Sequence, residues 1–107
     1  MEYYNIDLTE HTKQQIAHFY LYIQYTFMNP LAADSFLKDA NNTVKRLSYM
    51  ADGLPICEDE DLAFFEYRII HFKKYNFKLL YRIDGDTVIV EAAYHGLQQL
   101  KVPKRPR

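Results

Sequence analysis

The sequence predicts an α+β domain of order β-α-α-β-β-β, a helical hairpin packed on a mainly antiparallel sheet, and three observations carry that prediction. Two apolar, β-rich runs flank Asp84-Gly85, a leading signal for a tight hairpin. Ile16, Phe19, Tyr20, Ile23 and Phe27, and then Ala33, Phe36, Leu37, Ala40, Val44 and Leu47, recur at three- and four-residue steps, as amphipathic helices require. Between them stands Asn29-Pro30, which can stop one helix and start the next.

Taken in order, Tyr4, Ile6 and Leu8 alternate with Asn5 and Asp7 in a short half-buried strand over Tyr3 to Leu8. Thr9 can cap the following helix, or Thr12 and Gln15 can form a capping box. That helix runs for about five turns. Asn29 caps the second, with Pro30 at its first position, where a missing N–H is no loss. Gly53 and Pro55 close the helical half, and Cys57-Glu58-Asp59-Glu60-Asp61 reads as a polar connector. Phe64 to Phe72 alternates as a strand, with Phe65, Tyr67 and Ile69 on one side and Glu66, Arg68 and Ile70 on the other. Lys73 to Asn76 makes a turn. With Asp84 and Gly85 as a type I′ loop, Ile83 faces Asp86, Tyr81 faces Val88 and Leu79 faces Val90. One hairpin face then holds Phe77, Leu79, Tyr81, Ile83, Val88, Val90 and Ala92, a core face to which Tyr94 also points. The other holds Lys78, Leu80, Arg82, Thr87, Ile89, Glu91 and His95, a mixture expected of a working surface.

The totals describe one domain, residues 1–100, followed by a basic, flexible tail over 101–107. Its 107 residues suffice for a single modest core, which seventeen aromatic side chains help to fill. No run approaches the ~20 apolar residues of a membrane span. The chain opens without the basic and apolar stretches of a signal peptide, and its lone Cys57 suits a reducing compartment, so a cytoplasmic location is expected. Residues 1–62 hold ten Asp/Glu against four Lys/Arg, and residues 63–107 hold four against nine. The basic half suits an acidic partner, either nucleic acid or protein.

Tyr67-Arg68-Ile69, Lys78-Leu79-Leu80-Tyr81-Arg82-Ile83, Asp84-Gly85-Asp86-Thr87-Val88 and Tyr94-His95-Gly96, in this order after the Asn29-Pro30 corner, resemble the RelE/ParE superfamily. Its members are toxins of type II toxin–antitoxin, or plasmid-stabilisation, modules. The resemblance covers roughly residues 3–98. It implies a cognate antitoxin as partner, and one of two activities on one fold. RelE-like members cut ribosome-bound mRNA without a metal; ParE-like members bind DNA gyrase and do no chemistry. A toxin with a decayed site is a third reading.

Cleavage by a 2′-hydroxyl needs a base, cations around the phosphate and an acid for the leaving oxygen. Under the resemblance, Lys78 stands where an arginine usually clamps the phosphate, and Arg68 and Arg82 share its expected face. His95, at the strand end, is the candidate for proton transfer because histidine ordinarily titrates near neutrality. Glu91, directly opposite Lys78 in the expected register, would neutralise the site or act as base. The stretch after His95 lacks the further arginine of many interferases. Lys73, Lys74, Lys101, Lys104 and Arg105 are candidates for nucleic-acid attraction. No cofactor or metal is expected: His11 and His18 are seven apart, and the acidic run at 58–61 lacks the alternating ligands and glycine of a calcium loop.

Overall fold

The computed structural model describes residues 3–100 and Val102. The elements are β1 (Asn5–Leu8), α1 (Glu10–Thr26), α2 (Pro30–Met50), a 3₁₀ turn over Ala51–Gly53, α3 (Glu60–Phe64), β2 (Arg68–His71), β3 (Phe77–Asp84) and β4 (Thr87–His95). The strands form one sheet of order β1-β4-β3-β2, in which β1 runs parallel to β4 and the other pairs are antiparallel. The expected α+β class is the one observed.

The helical hairpin forms for the reasons its sequence offers. Thr9 Oγ1 accepts from the Thr12 amide at 3.2 Å and so caps α1. Asn29 Oδ1 accepts from the Ala32 amide at 3.1 Å and caps α2, with Pro30 in the first turn. Both helices cover one sheet face, burying Phe36 and Leu47 against Leu79, Tyr81, Val88 and Val90.

The acidic connector behaves differently from its expected role. Asp59 accepts from the amides of Asp61 at 3.0 Å and Leu62 at 3.1 Å, so it caps the short helix α3, which extends to Phe64. Carboxylates in a first helical turn favour this start. Glu66 then takes a left-handed backbone, φ 59°, and the strand begins only at Arg68. Local capping has overridden the apolar alternation of residues 64–67. Leu62 meets Tyr67, Leu80 and Ala92 on the second face of the sheet, where Leu100 and Val102 also pack. The second face of the sheet is therefore covered in part, with His71 left exposed.

The β3–β4 hairpin departs from its expected register twice. Its two-residue turn is Gly85-Asp86, with Asp84 opposite Thr87 and Ile83 opposite Val88. Gly85, at φ 61°, is the left-handed first central residue, the position glycine holds in a type II′ turn. The shift is by two residues, so the core-facing set near the turn survives. The second departure is a bulge: Tyr81 faces Val90 and Leu80 faces Ala92, which makes Glu91 the extra residue. Beyond it the faces exchange. Ala93 joins the helix-side core, whereas Ala92 and Tyr94 join the second face.

The start of α1 holds this bulge in place. The Val90 carbonyl accepts from the Thr9 amide at 3.1 Å and from Thr12 Oγ1 at 2.8 Å. Gln15 does not complete a capping box; its Oε1 instead accepts from the Ala93 amide at 2.7 Å. Gln15→Ala is therefore expected to lower stability by about 1.5 kcal/mol, because the Ala93 amide loses its acceptor. Urea unfolding measures the loss, and faster exchange of the Ala93 amide localises it.

Candidate functional site

The sheet separates residues that the sequence grouped. Lys78 and Arg82 project from the second face, beside Leu80. Arg68 projects from the helix side, opposite Tyr81, and donates to the carbonyls of Asp52 (3.1 Å) and Leu54. Its expected place beside Lys78 and Arg82 is thus corrected, because strand pairing puts Arg68 and Tyr81 on the same side. His95, expected on the charged face, also lies on the helix side because of the bulge. Its ring stands edge-on to Phe77 at 5.3 Å.

Lys78 does not face Glu91. It lies between His71 and Tyr94 across the strands, is only 9% exposed, and donates to the carbonyls of Gly96 at 3.1 Å and Gln98 at 3.2 Å. Glu91 accepts from the Tyr67 hydroxyl at 2.6 Å. Arg82 reaches Glu91 and Asp84 only loosely, at 4.0 and 3.9 Å. His95 Nδ1 accepts from the Leu97 amide at 3.2 Å, so its neutral ring carries the proton on Nε2. The same ring lines a groove of about 730 Å³ with Tyr22, Phe27, Tyr75, Asn76 and Phe77.

Lys73 and Lys74 are exposed on the turn between β2 and β3, and Lys74 Nζ meets Ser35 Oγ at 2.7 Å. Lys101, Lys104 and Arg105 lie outside the described residues, as do the other residues of the tail except Val102. Sequence reasoning missed His71, which shares the second face with Lys78 and is exposed. The alternation through Tyr67 and Ile69 was the signal that could have found it. It also missed the Tyr67–Glu91 bond, because the expected register set Glu91 opposite Lys78 and the strands pair two residues away from that register.

Among the described residues no three His, Cys, Asp or Glu side chains gather to hold a metal ion, and no helix is long and apolar enough to cross a membrane. Burial pushes the Cys57 thiol up, which disfavours the reactive thiolate. Burial also pushes the Tyr81 phenol up, and its hydroxyl donates to the Ala51 carbonyl at 2.7 Å. The unfolded chain ionises this tyrosine near pH 10, whereas the folded chain keeps its proton to higher pH. Its contribution is full below that value and is lost as pH rises above it. Tyr81→Phe is expected to reduce the alkaline fall in stability, as read by urea midpoints on either side of pH 10.

Two polar groupings thus flank an apolar centre on the second face: His71, Lys78 and Tyr94 at one end, Tyr67, Arg82 and Glu91 at the other. The donors of Arg68 and Lys78 point at backbone carbonyls, and the proton-transfer candidate lies across the sheet from Lys78 and Arg82. Such a face can hold a partner's side chains; it does not, as arranged, converge four groups on one phosphate.

No family model and no curated protein matches the chain's sequence. A chain of a solved structure described as the chromosomal ParDE TA system from P. aeruginosa is similar to it in structure, with a TM-score of 0.71 at 15% identity. The match covers 86% of this chain and 95% of that one. At such identity the likeness is one of fold, and this chain has a ParE/RelE-like fold, helices packed on a four-stranded, mostly antiparallel sheet.

Proposed function

We propose that this chain is the toxin of a type II toxin–antitoxin pair, and that it disables its target by contact instead of cutting RNA. The fold likeness supports the first half of the reading. The second half rests on one observation: Lys78 and Arg82 lie on one sheet face, Arg68 and His95 on the other. Metal-free cleavage needs its base, acid and cations within about 3 Å of the reacting groups at one phosphodiester. A sheet stands between the two pairs. Lys78 and Arg68 also direct their donors to carbonyls, as structural cations do.

In this reading the target is a protein, DNA gyrase by the resemblance, and the natural partner is a cognate antitoxin. Lys73, Lys74, Lys101, Lys104 and Arg105 attract acidic surface instead of gripping RNA. The test is induction of the chain alone in a bacterial host, with transcript 5′-end mapping and a supercoiling assay on purified gyrase. The expected result is growth arrest without new codon-phased ends, inhibited supercoiling, and undiminished toxicity of His95→Ala. Codon-phased ends that vanish in His95→Ala and Lys78→Ala would establish the interferase reading instead.

A further inference from the structure

From Gln14 to Ala33 the chain carries no Lys, Arg, Asp or Glu, the longest such run in it. Over this run α1 packs one face on the core through Ile16, Phe19, Tyr20 and Ile23, yet its outer face is largely apolar as well. His18, Leu21, Tyr22 and Tyr25, spaced i, i+3, i+4 and i+7, share that outer face and are all exposed. The stripe continues round the corner between the helices. Phe27, the C-cap of α1, is 65% exposed, Met28 is 84% exposed, and Leu31, in the first turn of α2, is 81% exposed. The Tyr22 ring stands edge-on to Phe27 at 5.4 Å, which joins the two parts. Met28 holds the tip in a left-handed backbone, φ 50°, a conformation that a side chain of its size rarely takes.

Leu21, Tyr22, Tyr25, Phe27, Met28 and Leu31 each expose between 48% and 84% of their surface. At about 200 Å² for a fully exposed residue, they present on the order of 800 Å², more than the largest apolar patch of an ordinary monomer. One partner of a standard interface buries about as much. The makeup of the patch, Tyr, Phe and Met without charge, is that of an interface core. A surface free of charge suits a two-fold contact in particular, because the axis brings one patch against its own copy and like charges there would repel. A partner recruited by charge finds no counter-charge on this stripe. Beside it opens the groove of about 730 Å³ lined by Tyr22, Phe27, Tyr75 and Phe77, so a protruding side chain and a hollow lie on one surface. We propose that the chain forms a two-fold dimer through the outer face of α1 and the helical corner, with Met28 of each copy seated in the aromatic groove of the other. Thioether sulfur against aromatic rings is a favourable contact, and methionine adapts to an irregular hollow. The inference is independent of the toxin reading.

The test is sedimentation equilibrium of the full chain. The expected result is a dimer with a dissociation constant of about 1 µM or below, within the range that interfaces of this size reach. Its Tm is expected to rise with protein concentration. Tyr25→Glu/Met28→Asn is expected to weaken the dimer at least about hundredfold, since anchors at an interface centre carry most of its strength. Met28→Asn alone is expected to weaken it about tenfold. Asparagine is at home in a left-handed backbone and Tyr25 is 70% exposed, so both variants keep the fold of the monomer, which circular dichroism checks. Leu97→Glu, at a position 86% exposed but beyond β4, is expected to leave the dimer unchanged. A chain that stays monomeric throughout would overturn the inference. So would a dimer that survives Tyr25→Glu/Met28→Asn, a dimer lost equally in Leu97→Glu, or a monomer that binds phosphatidylcholine vesicles through Tyr25 and Met28.

Discussion

Phe36→Ala is expected to lower stability by about 4 kcal/mol, a fall of roughly 20 °C in Tm for a domain of this size. Phe36 is fully buried on α2 and is the point where the helices and the sheet meet. Its ring stacks on Phe72 at 5.8 Å and stands edge-on to Phe77 at 4.9 Å, Tyr75 at 6.2 Å and Phe19 at 6.5 Å. Alanine would remove every one of these ring contacts and leave a cavity that four aromatic neighbours from three regions cannot jointly close. Phe36→Leu, which refills part of the volume, is expected to cost about 1.5 kcal/mol. Equilibrium denaturation measures both; a loss below about 1 kcal/mol for alanine would mean that the ring cluster is not the centre of the core.

The second large effect comes from a polar residue. Asp39, only 7% exposed, points its carboxylate from α2 at the turn between β2 and β3. It accepts from the amides of Lys73 at 3.3 Å, Lys74 at 2.9 Å and Tyr75 at 2.8 Å. The two oxygens divide these donors, one for Lys73 and the other for Lys74 and Tyr75. Asparagine is not a conservative replacement here. Asp39→Asn keeps one acceptor and turns an N–H₂ toward backbone N–H groups, leaving at least one buried donor without an acceptor. The expected loss is about 3 kcal/mol, with the turn amides exchanging fastest. Because Tyr75 touches both Phe36 and Asp39, the two substitutions should combine non-additively in a double-mutant cycle.

Asp39 also marks a limit of reading this chain residue by residue. On a helical wheel it is one more polar position next to the buried stripe, and nothing local says that a turn 34 residues later will dock there. Lys78 shows the converse. Its sequence context, a cation followed by two apolar residues and a tyrosine, carried the family resemblance and the expectation of a phosphate clamp. In the folded chain it braces the segment after β4. Arg68 likewise braces the 3₁₀ turn and the residues after it. Long cations were legible as chemistry; whether they meet substrate or backbone depends on what folds over them.

Residue order alone was enough to establish the fold class, the helical hairpin with its Asn29-Pro30 corner, the strand identities of β3 and β4, and the core set nearest the hairpin turn. These follow from periodicity, capping and turn chemistry, which act over a few residues. Which sheet face each candidate side chain occupies emerged only in the folded chain, because facing is a matter of parity, and parity is set by non-local pairing. The extra residue at Glu91, held by Thr9, Thr12 and Gln15 from the start of α1, moved His95 to the helix side and Tyr94 to the other. A single residue inserted into a strand exchanges every face beyond it.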